Sequence, residues 1–547
     1  MAVRKKPLSI ATSTKVANAR SSKSSIIASE TPTTNLLLAV PPIRAHETSY
    51  HYPLLLSSRS DCDALLAWFT SVEETRNMPW RQTWIDPNEH KGKDEDLERV
   101  LAKRAYEVWV SEVMLQQTRV STVIPYFTNW ISIWPTAEAL AEAKHDDVLA
   151  AWKGLGYYSR ATRLHEGAKA MIAKSNGIGR YTAGAISSIV FGEPEPVLDG
   201  NVIRVLSRQL GLYMNTKDKK ATDILWEQAD RLIKHVSLDL GSSRTSIPGQ
   251  WNQALMELGS TICTPKPLCE MCPIQKTCRV YSEGQALYGE HQLTAVLDDI
   301  ENKCTLCEPV DIEDLAPVLE EVTTDVVHQT SKKKKVTARQ SNTLPKYFAI
   351  GTSATIIAPE REASPSAVNH RKRKTSDQRD FSKVVSYCTL FPKKIVKKKA
   401  AEVQCVVCMI ELCLSNGSTK WLIEQRPAKG LLASLWQFPQ ELLEDANATP
   451  SQRKISAEER IKRLGIGGTN LRRPHHVAAF PPLTHVFTHL RMTMYAYHYR
   501  ITTDKAEDAV VEHVDAPIHK WVEAGTMDSE TLSTGMRKCW NLVSPTL

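Results

Sequence analysis

The stretch Gly177–Arg204 reads GIGRYTAGAISSIVFGEPEPVLDGNVIR, and its two ends prescribe different chemistry at a fixed separation. Gly177 and Gly179 can take positive φ and leave backbone N–H groups bare, while the small-residue run Thr182 to Ile186 reads as a helix start. A glycine loop opening a helix points unpaired N–H groups at an anion, so a phosphate suits this position. At the other end Asp199, between Leu198 and Gly200, precedes the apolar stripe Val202, Ile203, Val205 and Leu206. That pattern predicts a second helix with Asp199 at its N-terminus, where a carboxylate stays ionised.

The chain around this stretch has 547 residues, too many for one core, and 42% hydrophobic with 24% charged residues is the composition of soluble globular material. No apolar run approaches the length of a membrane span. The net charge of +8 is unevenly placed: residues 331–400 carry +14 and residues 1–29 carry +6, so the rest of the chain carries −12. A nucleic-acid surface on the folded parts is therefore expected as a local patch. Of 12 cysteines, four lie within Cys263–Cys278, two are Cys304 and Cys307, and three (Cys405, Cys408, Cys413) sit in a strand-like run. Such clustering fits metal-binding thiols in a reducing compartment better than a disulfide framework. The basic, Ser-rich start, free of acid until Glu30, has the composition of a mitochondrial presequence or of a disordered basic tail.

Five regions follow from the patterning. Residues 1–48 read as a basic tail and 49–262 as helical, with Val108, Val110, Val113, Met114 and Leu115 at helical spacing. Residues 263–283 hold the four-cysteine loop. Residues 284–400 read as a linker, first acidic and then basic, without secondary structure. From 401 to 547 the runs VQCVVCMIELCL, KWLIEQRP and THVFTHLRMTMYAYHYRI read as alternating strands, with a helix around Ala457–Leu464, which makes an α+β domain.

Six motifs occur in order: MPWR (78–81), YEVWVSEVMLQQTRV (106–120), WKGLGYYSRATRLH (152–165), GIGRYTAGAI (177–186), VLDGNVIRVLSR (197–208) and NQALMELG (252–259). With them the chain resembles the adenine DNA glycosylases of the MutY family, in the helix-hairpin-helix superfamily shared with endonuclease III. The resemblance covers about two thirds of the chain. It implies an all-α helix-hairpin-helix glycosylase domain with its hairpin at 177–186, an iron-sulfur loop, and a C-terminal Nudix-like domain. The implied activity is removal of adenine mispaired with 8-oxoguanine or guanine in duplex DNA, in base excision repair.

Cleaving an N-glycosidic bond to a neutral base needs an acid for the leaving group and a carboxylate facing the electron-poor sugar. By resemblance Glu112 is the acid, Asp199 stabilises the sugar, and Asn201 and Tyr181 hydrogen-bond around that centre. Glu112 lies in an apolar stretch, where desolvation would raise its pKa. Relatives that also nick the strand carry a lysine at the position of Tyr181; a phenol forms no Schiff base, which implies a monofunctional glycosylase. Gln117 and Tyr157 match residues that wedge into the base stack. Trp80 and Arg81 match residues lining the adenine pocket.

Cys263, Cys269, Cys272 and Cys278 have intervening spacings of five, two and five, which suit zinc or an iron-sulfur cluster. The resemblance implies a [4Fe-4S] cluster, with Lys266, Lys276 and Arg279 on the loop facing phosphate. In the C-terminal domain, HVFTH (485–489) matches the loop that senses 8-oxoguanine, which makes Phe487, Thr488 and His489 the lesion readers. The segment AEERIKRLG lacks the carboxylate helix of true Nudix hydrolases, so nucleotide hydrolysis is not expected. Cys304 and Cys307, with His51, match a zinc site of animal relatives. The runs SKKKK (331–335) and RKRK (371–374) read as nuclear import signals, and TLPKYF (343–348) faintly resembles a sliding-clamp peptide. The expected location is the nucleus, with the mitochondrion beside it; the expected state is a monomer. Only 11 residues separate His165 from Gly177, where the family has an additional helix. Two alternatives stand beside the enzyme: a catalytically impaired lesion-binding protein that recruits partners, and an endonuclease III-like pyrimidine glycosylase.

Overall fold

In a computed structural model of the chain, the residues described are 46–87, 94–173, 179–238, 244–288, 304–308, 376–394, 400–427, 430–445, 447–467, 472–487, 490–503, 510–511 and 518–544. Most of the basic tail, Gly177, Thr488, His489, both basic runs and TLPKYF lie outside them. Among the described residues, no helix is long and apolar enough to cross a membrane. The chain divides into two compact units. One gathers Leu55–Ile203, Thr222–Ser260 and Lys394–Leu547; the other gathers the chain up to Leu54, Arg204–Ala221 and Thr261–Lys393.

The helical elements are α1 (Arg59–Val72), α2 (Asp94–Leu115), α3 (Val120–Ile133), α4 (Ala137–Glu142), α5 (His145–Ala151), α6 (Ser159–Ile172), α7 (Arg180–Phe191), α8 (Gly200–Gln209), α9 (Lys219–Ser237), α10 (Ile247–Thr261) and α11 (Arg279–Tyr288). In the first unit, α2 packs on α3, α6 and α7. Their core is aromatic: Trp130 meets Trp134 and Trp152 edge-on at 4.8 and 5.4 Å, and its Nε1–H donates to Tyr106 Oη at 3.1 Å. Nine consecutive residues of α2, Tyr106 to Met114, are buried, polar Glu107, Ser111 and Glu112 among them. A helix buried all round at this point carries polar groups into the protein interior, where each needs a partner.

In the same unit β1 (Ala401–Leu414) runs parallel to β4 (Leu490–Thr503) over 14 paired positions. The sheet order is β5–β2–β1–β4–β3, where β2 is Thr419–Gln425, β3 is His475–Ala479 and β5 is His519–Glu523. The expected in-out alternation of β1 is absent, because both faces of the strand are covered. Val406, Cys408, Ile410 and Leu412 face Ala457 and Ile461 of the helix Pro450–Arg463; Cys405, Val407 and Met409 face Met536 and Trp540 of the helix Thr534–Trp540. Cys405 and Cys408 are thus core residues. The helix expected from Ala457 starts earlier, at Pro450, where Thr449 and Gln452 form a capping box.

The second unit departs from the expected linker in two places. α11 continues to Tyr288, and Ser376–Cys388 is a helix packed on it. The packing works because the run FSKVVSYC is amphipathic. Val384, Tyr387, Cys388 and Phe391 join Tyr213, Val280 and Tyr281 in one core, and a side chain at Gly284 would meet Val384 Cγ1 at 3.0 Å. Tyr387 Oη–H donates to Glu283 Oε2 at 2.6 Å, which satisfies a buried carboxylate that also accepts from Tyr50 at 2.9 Å.

Candidate active site

Glu112 projects from the buried stretch of α2, and its Oε2 accepts a hydrogen bond from Tyr181 Oη, on the first turn of α7, at 2.6 Å. The same hydroxyl contacts Met256 Sδ of α10 at 3.2 Å. Asp199 caps α8: its Oδ1 accepts from the N–H groups of Asn201 and Val202 at 3.0 and 2.8 Å, and its Oδ2 accepts from Asn201 Nδ2 at 2.9 Å. Two glycines set the frame. A Cβ at Gly184 of α7 would lie 2.4 Å from Pro196 O, and one at Gly259 of α10 would lie 2.7 Å from Asn201 Cβ. Only hydrogen fits there, so α7, the segment before Asp199, and α10 approach one another closely.

The electrostatics separate the two acids. Burial pushes the Glu112 carboxyl up to about 7, the Tyr181 hydrogen bond opposes this, the negative charge of Asp199 adds to it, and Arg81 opposes it. Burial and the two carboxylates hold the Tyr181 phenol well above its ordinary range. The arrangement is a buried carboxyl with its pKa pushed up to about 7 and, acting on it, a second carboxylate held by three N–H donors, the division of labour that leaving-group protonation requires.

Sequence reading missed Glu257 and Arg76. Glu257 Oε2 pairs with Arg81 at 2.7 Å and its Oε1 with Arg76 at 2.9 Å, and its side chain is 3% exposed. Glu257 belongs to the motif NQALMELG, and that motif was the signal available. Arg81 also lines a cavity of about 580 Å³ with Asn77, Met78, Gln82, Gln250 and Gln253; Glu112, Tyr181 and Asp199 do not line it. Trp80 is in the core against Phe127, 5.3 Å edge-on, so it supports this wall from behind. Gly179 has φ −76° and open space where a side chain would be, so positive φ does not explain this glycine, and the expectation for it is corrected. Gln117 and Tyr157 are exposed and both take positive φ, +57° and +48°, which is strained for any residue but glycine.

Two groups of cysteine and histidine residues lie in the other unit. In the loop after α10, Arg208 Nη1 donates to Cys263 Sγ at 3.2 Å and to Thr264 O at 2.7 Å. Burial, with neighbouring thiols adding to it, pushes the Cys272 thiol up to about 12 and the Cys278 thiol well above its ordinary range, a shift that the positive charge of a metal centre would oppose. Arg279 does not face phosphate. It is buried over the Tyr50 ring at 4.3 Å and donates to Tyr52 O at 3.0 Å, because α11 turns it inward. The second group brings His51, Cys304 and Cys307 together as expected and adds His46, which sequence reading missed; their ligand atoms all lie within 4.8 Å of one another and could hold a metal ion. His51 Nδ1 is fixed on Leu210 O at 2.8 Å, leaving Nε2 3.3 and 3.4 Å from the two sulfurs. Backbone N–H groups of Leu306 and Tyr213 point at Cys304 and Cys307 at 3.3 and 3.4 Å.

In the C-terminal region Phe487 packs against His485, 4.5 Å edge-on, and its N–H donates to Leu490 O at 2.7 Å. Glu424, the buried acid nearest the helix Pro450–Arg463, is neutralised by Arg460 at 2.5 Å. That pairing leaves it poorly placed to bind a cation.

Residues 110–231 match the family described as HhH-GPD superfamily base excision DNA repair protein, and residues 412–542 match the NUDIX domain. The human adenine DNA glycosylase is 31% identical over 497 residues, covering 88% of this chain and 73% of the human protein. The chain belongs to the adenine DNA glycosylases. The mouse adenine DNA glycosylase is similarly close, 30% identical over 520 residues, 91% of this chain and 81% of its own length. Among solved structures, a thermostable thymine-DNA glycosylase is 22% identical with a TM-score of 0.31, covering 40% of this chain and 93% of that one. Membership in the adenine DNA glycosylases makes the chain a base excision repair glycosylase that acts on DNA. Tyr181 is hydrogen-bonded to Glu112 and both feel the charge of Asp199, and the catalytically impaired alternative is not favoured.

Proposed function

We propose that this glycosylase removes adenine paired with 8-oxoguanine, or with guanine, from duplex DNA and leaves the strand uncut. The reading is carried by one observation: the buried Glu112 carboxyl, raised to about 7, accepts the Tyr181 hydroxyl at 2.6 Å and feels the charge of Asp199. Glu112 gives its proton to a ring nitrogen of the extruded adenine, and the C1′–N9 bond breaks with its electron pair moving to the base. Asp199 stabilises the positive sugar. Water adds to C1′, and its proton passes to the Glu112 carboxylate, restoring the acid. Arg81 and Glu257 supply donors and acceptors at the buried side of the base, and Gln117 and Tyr157 fill the gap in the stack.

Without an amine at position 181 no Schiff base forms. Single-turnover excision on duplexes with adenine opposite 8-oxoguanine, guanine or thymine, with borohydride trapping alongside, is expected to be fastest opposite 8-oxoguanine with no trapped complex. Strong trapping on oxidised pyrimidines would reverse the reading. Phe487, Thr488 and His489 are the proposed readers of 8-oxoguanine.

Cys263, Cys269, Cys272 and Cys278 would hold a [4Fe-4S] cluster, which fastens the loop after α10 and supplies no step of the reaction. His46, His51, Cys304 and Cys307 would hold zinc. Metal analysis of the purified full chain is expected to give iron together with about one zinc. Cys304→Ser should lose the zinc and keep the iron; unchanged zinc in that variant would exclude this site. A sliding-clamp partner through residues 343–348 and a nuclear location, shared with the mitochondrion, complete the proposal.

A further inference from the structure

Arg160, on the first turn of α6, is 3% exposed, and among the described residues its hydrogen-bond acceptors are carbonyl and hydroxyl oxygens, with no carboxylate. Its two terminal nitrogens spend their protons on two separate loops. Nη1 donates to the carbonyls of Val113, Met114 and Gln116 at 3.2, 2.7 and 2.6 Å, at the C-terminal end of α2. Nη2 donates to Thr118 Oγ1 at 3.1 Å and to the carbonyls of Leu155 and Gly156 at 3.4 and 3.0 Å. The last carbonyls of a helix have no intrahelical partner and carry its negative end, so a buried cation satisfies both needs. The guanidinium carbon lies 5.2 Å from the Trp152 ring and 5.4 Å from that of Tyr157.

The two loops gripped in this way hold Gln117 at φ +57° and Tyr157 at φ +48°. Strained backbone persists only where its surroundings over-determine it, and Arg160 is the group that touches both strained segments. We propose that Arg160 is the positioning residue for base extrusion: it sets the spacing of the two wedge side chains so that both enter the duplex together. The proposal rests on the reading of Gln117 and Tyr157 as wedges. A lysine offers a single ammonium point and cannot bridge both loops, so Arg160→Lys keeps the charge and removes the geometry.

The test uses the full chain and a duplex with 2-aminopurine beside the target adenine, whose fluorescence rises on unstacking. Arg160→Lys is expected to slow extrusion and single-turnover excision by roughly tenfold, the size of one lost hydrogen bond to a charged group. In a Gln117→Ala/Tyr157→Ala background the same substitution should have almost no further effect on extrusion, because the side chains it positions are gone. A merely structural role would give equal losses in both backgrounds, and that result overturns the assignment. Normal extrusion by the Gln117→Ala/Tyr157→Ala protein would instead overturn the wedge reading, and the assignment with it. Should Arg160→Lys fold poorly, Thr118→Val, which removes one acceptor from the grip, takes its place in the same cycle with the same outcomes.

Discussion

Glu112→Gln should eliminate adenine release, with a loss on the order of 10³-fold, the range in which a positioned general acid contributes. Duplex affinity should hardly change, because glutamine keeps the shape and can still accept the Tyr181 hydroxyl. The parent enzyme's excision rate should be flat in acid and fall about tenfold per pH unit above neutrality, since the proton that adenine needs is lost through a pKa of about 7. Stability should fall in the same direction of pH. Glu112 has a folded pKa of about 7 against an ordinary value of 4.5, so its favourable contribution is complete below 4.5 and disappears as pH rises through 7. Glutamine has no charge to bury, and the variant should be more stable than the parent at pH 8 by roughly 3 kcal/mol, with no gain in acid. Chemical denaturation at both pH values measures this. Equal stability at pH 8 would mean that Glu112 is ionised without cost, and the acid role would lose its physical basis.

Asp199→Asn should be nearly as inactive and thermally unchanged. Asparagine caps a helix as well as aspartate does, so the N–H groups of Asn201 and Val202 keep an acceptor and α8 keeps its start. What disappears is the negative charge that the proposed mechanism sets against the sugar. Preorganised electrostatic groups of this kind are worth roughly 10²- to 10³-fold each, and single-turnover excision measures that loss directly. Binding to a duplex should persist. An active Asp199→Asn protein would remove this carboxylate from the chemistry and leave it as a cap.

The residues proposed for catalysis stand out in the sequence because they sit in short motifs whose local structure is self-contained. Asp199 announces itself as a cap by the apolar stripe behind it, and Glu112 by apolar neighbours on both sides. Contacts between distant segments were not legible. Glu257 reaches Arg76 and Arg81 across more than 170 positions, and nothing local marks it as the counter-charge. His46 lies far from Cys304 in the chain, and a histidine five residues before another carries no spacing signal of its own. The helix Ser376–Cys388 was hidden by its surroundings: a basic, low-aromatic composition averaged over the linker masks one short amphipathic segment that a partner core captures. Strand β1 was misread for a related reason, since alternation reports a sheet with one wet face and β1 has none.

The tight seat of Gly259 against Asn201 changes how variants of this chain are to be judged. In an ordinary helix, glycine to alanine is a benign or even favourable exchange by about 1 kcal/mol. Here the added methyl would drive Asn201 off the aspartate it holds. A substitution that adds no charge, removes no hydrogen-bonding atom and raises helix propensity would silence the enzyme from outside its reacting groups.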